Sequence, residues 1–89
     1  MFKKYLVEFI GTLLFVYIII STQNEIAIGA SLALILLVSS KISPIFLNPA
    51  VTISMLSLGK VPPNEVLPHC LAQVLGALAA VEVFKKYKI

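Results

Sequence analysis

The 89-residue chain contains no aspartate, no arginine and no tryptophan, and it has a single cysteine and a single histidine. Each absence removes a class of chemistry. His69 is the only imidazole, and Glu8, Glu25, Glu65 and Glu82 are the only acids. A Ser-His-Asp triad cannot be assembled from them, nor a metal cage of several histidines and carboxylates. No cofactor, no metal and no enzymatic activity are therefore expected. Cys70 alone cannot close an intrachain disulfide and says nothing of redox compartment. The net charge of +3 comes from seven lysines, which stand in small groups beside apolar runs. Nucleic-acid binding calls for a basic stripe with accessible aromatics, so nucleic acid is not an expected partner. Lysines placed this way mark a membrane surface.

Scarcity of charge carries a second meaning. Only 12% of residues are charged and 60% are hydrophobic, with a mean hydropathy of +1.03. Globular domains run about 25% charged and about 45–50% apolar. A chain this short has too much surface for its volume to hide such an excess, so its outer face meets lipid. At ~20 residues per crossing, the length admits three spans. The expected class is an all-α, multi-pass integral membrane protein.

The first apolar run, Tyr5 to Ile20, predicts a helix over about 4–22. Glu8 inside the run, and the lack of a small-residue cleavage site after it, argue against a signal peptide. A short polar turn leads to the second run, a helix over about 25–41 that lies antiparallel to the first. Pro62-Pro63-Asn64-Glu65 opens the last run, a helix over about 65–86, with Pro68 tolerated in its opening turn. Between the second and last runs lies an apolar segment too short to cross. Asn48 caps and Pro49 fits the first helical position, while Gly59 stops the helix, giving a half-length helix over about 49–58. At 1.5 Å per residue such a helix covers about half of a ~30 Å hydrocarbon core. It reads as re-entrant, entering and leaving on one membrane face.

The segment Ile42-Ser43-Pro44-Ile45-Phe46-Leu47-Asn48-Pro49-Ala50-Val51-Thr52 resembles the first Asn-Pro-Ala loop of the aquaporin, or major intrinsic protein, family. Glu8-Phe9-Ile10-Gly11-Thr12 resembles that family's first helix, and Ala72-Gln73-Val74-Leu75-Gly76-Ala77 its third, in the same order and spacing. The resemblance covers nearly the whole chain but half of the family's architecture, which has two inverted repeats. The 89 residues hold one Asn-Pro-Ala and no internal repeat. The implied fold is one aquaporin-like half over residues 1–89: three transmembrane helices plus one re-entrant half-helix.

The resemblance implies a channel subunit for passive movement of water or small neutral solutes such as glycerol. Asn48 is then a hydrogen-bond donor to the passing solute, with Pro49 and Ala50 shaping the helix start beside it. The helix dipole places partial positive charge there, which disfavours cations. Glu8 and Gln73 become braces of the loop. Glu8 also has a second reading, an i,i+4 pair with Lys4 near the surface. Glu82 pairs with Lys85 or Lys86 at the interface. By alignment with the family's selectivity filter, Ile28 and Val51 are possible lining residues. The family's filter arginine has no counterpart in this chain, and Pro44 replaces a small residue, so water-versus-glycerol selectivity does not carry over.

Small residues at four-residue spacing let membrane helices approach closely. Ala72, Gly76 and Ala80 do this on the last helix and Gly29 and Ala33 on the second, and Gly11 is a third packing position. Whether they pack within one subunit or between subunits stays open at this point. His69 and Cys70 read as packing residues near the surface end of the last helix.

Three spans and a re-entrant loop place the chain ends on opposite faces. Lys3, Lys4, Lys41 and Lys60 fall on one face and Lys85, Lys86 and Lys88 on the other, a weak orientation bias. The resemblance implies a pore in which two half-helices meet tip to tip, and an inverted second copy would place Asn48 opposite Asn48. The expected partners are thus the bilayer, the solute, and either another copy in a dual-topology dimer or a second aquaporin-like half. Two other readings stand beside the channel: a non-conducting small membrane protein that associates with other membrane subunits, and a truncated relic of a full-length aquaporin.

Overall fold

The computed structural model describes residues 2–42 and 44–87; Ser43 of the loop motif and Lys88 of the final lysine group lie outside the described residues. Four helices follow in order: α1 (Phe2–Thr22), α2 (Glu25–Ser39), α3 (Pro49–Ser57) and α4 (Pro63–Lys86). No strand occurs among the described residues. The β-branched run near the end of α1 is a poor helix former in water. In lipid, where backbone groups have no other partner, it is held helical.

Each helix end has a local cause. Gln23, at φ 51°, turns the chain between α1 and α2, and Asn24 caps α2 by accepting from the Ala27 amide at 2.9 Å. α2 ends at Ser39, two residues short of Lys41. The Ser40 hydroxyl donates to Leu37 O, the Ile42 amide tightens to Ser39 O, and Pro44 has no N–H to continue the ladder. α3 ends in a paired cap. Gly59, at φ 74°, donates to Leu56 O and Lys60 donates to Met55 O, each at 2.9 Å.

α1 and α4 run parallel and form the centre of the molecule. Lys4 meets Glu65 at one end at 2.7 Å, and Tyr17 O–H donates to Tyr87 O at the other at 2.9 Å. Midway, a Cβ built on Gly76 would stand 2.5 Å from Phe9 O. Glycine alone permits that approach. Ala72, Gly76 and Ala80 are all buried, and the contact of Gly76 with α1 makes their stripe an intramolecular one. α2 packs against α1, and α3 against α4. Gly29 and Ala33 are exposed, and nothing lies within 4 Å of a Cβ placed on Gly29. Among the described residues, Gly29 therefore packs on nothing.

The distribution of polarity is inverted relative to a water-soluble domain. Glu8, Thr12, Thr52, His69 and Gln73 are buried, whereas Leu34, Leu37, Leu67, Leu75 and Leu78 are more than half exposed. Of these, Glu8 pairs with His69 and Gln73 with Thr52 inside the apolar shell, the arrangement lipid requires. α1 and α4, at 21 and 24 residues, are long and apolar enough to cross a bilayer. The fold is that of an all-α integral membrane protein.

At the far end of α4, Lys85 stands 3.6 Å from Glu82, with both side chains about two-thirds or more exposed. Exposed pairs contribute little. Glu82→Gln is expected to change unfolding stability by less than about 0.5 kcal/mol in a detergent-micelle melt.

Candidate functional site at the Asn48 half-helix

The segment 44–48 approaches α1 and α4 at mid-molecule, and two backbone amides there are taken by one acid. Leu47 N donates to Glu8 Oε1 at 2.7 Å, and Phe46 N donates to the same carboxyl group at 3.1 and 3.2 Å. Leu47 adopts φ 61°, a left-handed conformation rare for a residue with a side chain. Its side chain is buried against Gly11, where an added Cβ would meet Leu47 Cδ2 at 2.9 Å. Glu8 is fully enclosed. Its second oxygen, Oε2, lies 2.9 Å from His69 Nδ1.

This resolves the two readings of Glu8. Lys4 pairs with Glu65, and Glu8 faces the loop. It also corrects the reading of His69 as a packing residue near the surface. The ring is buried and hydrogen-bonded to the acid that holds the loop, with Tyr5 edge-on at 5.1 Å and Phe46 tilted at 5.5 Å.

From Leu47 the chain enters extended backbone at Asn48 (φ −157°), which caps α3. Asn48 Oδ1 accepts from Ala50 N at 2.7 Å. That bond fixes which way the amide points, because only the oxygen can accept from a backbone N–H. Nδ2, with two protons to donate, is left for another partner, and Asn48 is exposed. Thr52 ties the cap down from inside. Its amide and its hydroxyl both donate to Asn48 O, at 3.0 and 3.1 Å. Gln73 Nε2 then donates to the same hydroxyl oxygen at 2.7 Å. Gln73 thus hydrogen-bonds to α3 at Thr52.

Gln73 is the eleventh of the 24 residues of α4, hence ~15 Å along that helix. The start of α3 is therefore level with the middle of α4. Nine residues of α3 cover the ~14 Å back toward the end at which α4 begins. The geometry presents an amide group and the positive end of a helix dipole together at mid-molecule.

The remaining expected residues lie elsewhere. Pro49 is half-buried at the first position of α3, and Ala50 and Val51 are exposed beside it. Ile28 sits half-buried in the first turn of α2, which packs on α1 and not on α3. The chain does not bring Ile28 and Val51 together. A cavity of ≈ 370 Å³ opens between α1 and α2, walled by Val7, Ile10, Leu14, Leu34 and Val38. Its one polar lining residue is Ser39, whose hydroxyl donates to Ile35 O. Asn48 is not part of its wall.

Two participants were missed in the sequence, Thr52 and His69. A signal for the second was present. Lys4, Glu8 and Thr12 on α1, and Glu65, His69 and Gln73 on α4, each recur every four residues on otherwise apolar helices. Such a stripe must find polar partners in lipid.

Comparison with known proteins agrees with this geometry. Residues 1–88 match the family model described as major intrinsic protein. The chain is 32% identical to the glycerol uptake facilitator protein-like 6 of Lactiplantibacillus plantarum over 94 residues, which cover 96% of the chain and 44% of that protein. It is 48% identical to the glycerol uptake facilitator protein of Streptococcus pneumoniae serotype 4 over 50 residues, or 56% of the chain and 21% of the relative. Aquaporin Z of Bradyrhizobium diazoefficiens is 37% identical over 59 residues, covering 66% and 25% respectively. No solved structure matches. The chain spans less than half the length of these relatives. With a match that runs almost end to end and an Asn-capped short helix that starts level with the middle of α4, the chain belongs to the major intrinsic protein family and has the fold of one aquaporin-like half.

Proposed function

We propose that the chain is an aquaporin-like channel subunit, not an enzyme, that passes water or a small neutral solute such as glycerol. In this reading α1, α2 and α4 span the membrane, and α3 is a re-entrant half-helix. The observation that carries it is the orientation of Asn48. Its amide oxygen is locked to Ala50 N, which leaves Nδ2 as the free donor of an exposed residue at the N-terminus of α3. A neutral solute that loses water on entering the core recovers a hydrogen bond there. A cation meets the positive end of the helix dipole and is disfavoured. The names of the relatives, two of them glycerol uptake facilitators and one an aquaporin, support the same solute class.

A complete pore needs a second half-helix facing the first. We assign that role to an inverted copy of the same chain, with Asn48 opposite Asn48 across an axis in the membrane plane. The near balance of lysines on the two faces supports insertion in both orientations. A C-terminal tag found on a single membrane face would sink this dimer.

Stopped-flow swelling of proteoliposomes tests the channel. Wild-type protein is expected to raise water or glycerol flux above that of empty liposomes. Asn48→Asp is the informative variant. Aspartate caps helices as well as asparagine does, so the half-helix persists, but the solute loses its donor and meets a negative group. Flux is expected to fall by about tenfold, the effect of losing about 1.4 kcal/mol of interaction. Folded wild-type protein without flux above the lipid background would overturn the proposal.

A further inference from the structure

Lys4 pairs with Glu65 and Glu8 with His69, and each bond joins residues 61 positions apart on the parallel helices α1 and α4. One turn further on, the same offset matches Thr12 with Gln73. A second observation puts these two together. Gly76 follows Gln73 by three residues on one face of α4, and a Cβ built on it would stand 3.2 Å from Thr12 Cβ. Thr12 is 2% exposed and Gln73 1%. Thr12 Oγ1 and Gln73 Oε1 are both buried, and among the described residues neither finds a hydrogen-bond partner. Ser21 Oγ, likewise unpaired among them, lies more than two turns further along α1.

The neighbouring bonds fix what each atom needs. The Thr52 hydroxyl gives its one proton to Asn48 O, so toward Gln73 it can only accept. Gln73 Nε2 must therefore face it, and Oε1 is left as an acceptor without a donor. Thr12 carries a proton to give. The hydroxyls of Thr22, Ser39, Thr52 and Ser54 each donate to the carbonyl four residues back, the ordinary recourse of such a group in a helix. Thr12 makes no such bond, and its oxygen does not bond Gln73 Oε1 directly. One water spans polar atoms up to ~5.6 Å apart, at about 2.8 Å per bond, and buried water serves groups that the protein leaves unpaired. We propose that one resident water bridges Thr12 and Gln73, accepting the Thr12 proton and donating to Gln73 Oε1, and that Thr12 is thereby a positioning residue for the Asn48 half-helix. Thr12, the water, Gln73, Thr52 and Asn48 O then form one line of bonds, all pointing the same way, so that each strengthens the next. Glu8 holds the segment ahead of Asn48, and this line holds the first turn of α3 behind it. Nothing in it requires conduction, so it is judged separately from the channel reading.

Two measurements on the full chain test it. A crystal structure that resolves ordered water is expected to show one molecule within hydrogen-bond distance of both Thr12 Oγ1 and Gln73 Oε1. A dry contact there, with the two side chains bonded directly or each to its own backbone, overturns the water site. Hydrogen exchange in lipid vesicles then reads the positioning role at the Thr52 amide. Thr12→Val keeps the shape and removes the hydroxyl, so the water loses a partner and Gln73 turns to seek another donor. Protection of Thr52 is expected to fall about tenfold. Thr12→Ser returns the hydroxyl and should restore it. A side chain that merely fills the seam would give the opposite pattern, with valine harmless and serine the weaker variant, and that result overturns the proposal. Should Thr12→Val fail to fold, wild type and Thr12→Ser still decide, since both must hold the water and protect Thr52. Folded protein without flux would end the channel reading and leave these two results untouched.

Discussion

Glu8→Ala is expected to cost about 3 kcal/mol or more, since three buried hydrogen-bonding groups lose their partner at about 1–3 kcal/mol each, and, in the channel reading, to abolish flux. The side chain is fully enclosed and serves three donors: the amides of Phe46 and Leu47, and the His69 ring. Alanine leaves all three without an acceptor in a region where water cannot substitute. Leu47 would then hold its left-handed backbone with nothing to fix it. Glu8→Gln should fall between wild type and alanine, since its carbonyl can accept while its amide group confronts the same donors. Thermal unfolding in detergent micelles gives the stability change. Exchange of the Phe46 and Leu47 amides locates it. An alanine variant that melts within a degree of wild type with both amides still protected would contradict the assignment of Glu8 as the loop's anchor.

Gly76→Val should be the most damaging change outside the site. The new Cβ would lie 2.5 Å from Phe9 O and 3.3 Å from Leu13 N. Both are backbone atoms of α1, so no side chain can swing aside. The helices must separate, at a cost of about 2–3 kcal/mol from overpacking. Because the Glu8–His69 contact crosses the same seam, the loop should loosen as well, visible as exchange at Leu47. Two controls give the expectation its shape. Gly11→Ala meets the tip of a flexible leucine side chain at 2.9 Å and should be milder. Gly29→Ala meets nothing within 4 Å and should leave the isolated chain unchanged. Equal losses at positions 76 and 29 would mean that the α1–α4 seam is not what sets stability.

Much of this architecture was legible in the sequence because lipid leaves few choices. Long apolar runs must be helices, and the punctuation between them is chemical: Asn24 and Asn48 as caps, Gly59 as a stop, Pro44 as a block. The half-helix followed from Asn48-Pro49 and its short apolar tail, and its identity from the flanking resemblances. Pairing was harder to read. Glu8 offered two partners, Lys4 on its own helix face and the distant loop, and local spacing favours neither. Lys4 turns out to be taken by Glu65 from α4, which no window along one helix can reveal. His69 was misread for the same reason. A lone histidine shows no partner in sequence, and its carboxylate arrives from a helix 61 residues away. The matching four-residue stripes on α1 and α4 held the answer, but using them requires knowing that these two helices are parallel neighbours. Gln73 was expected to meet the loop, and its bond to Thr52 depends on the rotation of α3.

That same long reach dictates an order of assembly. Glu8 precedes Phe46 by 38 positions and His69 by 61, so during synthesis its partners arrive long after it does. An unpaired acid on a lone helix in hydrocarbon is expensive. Local helices form early, and the long-range contacts around Asn48 close last.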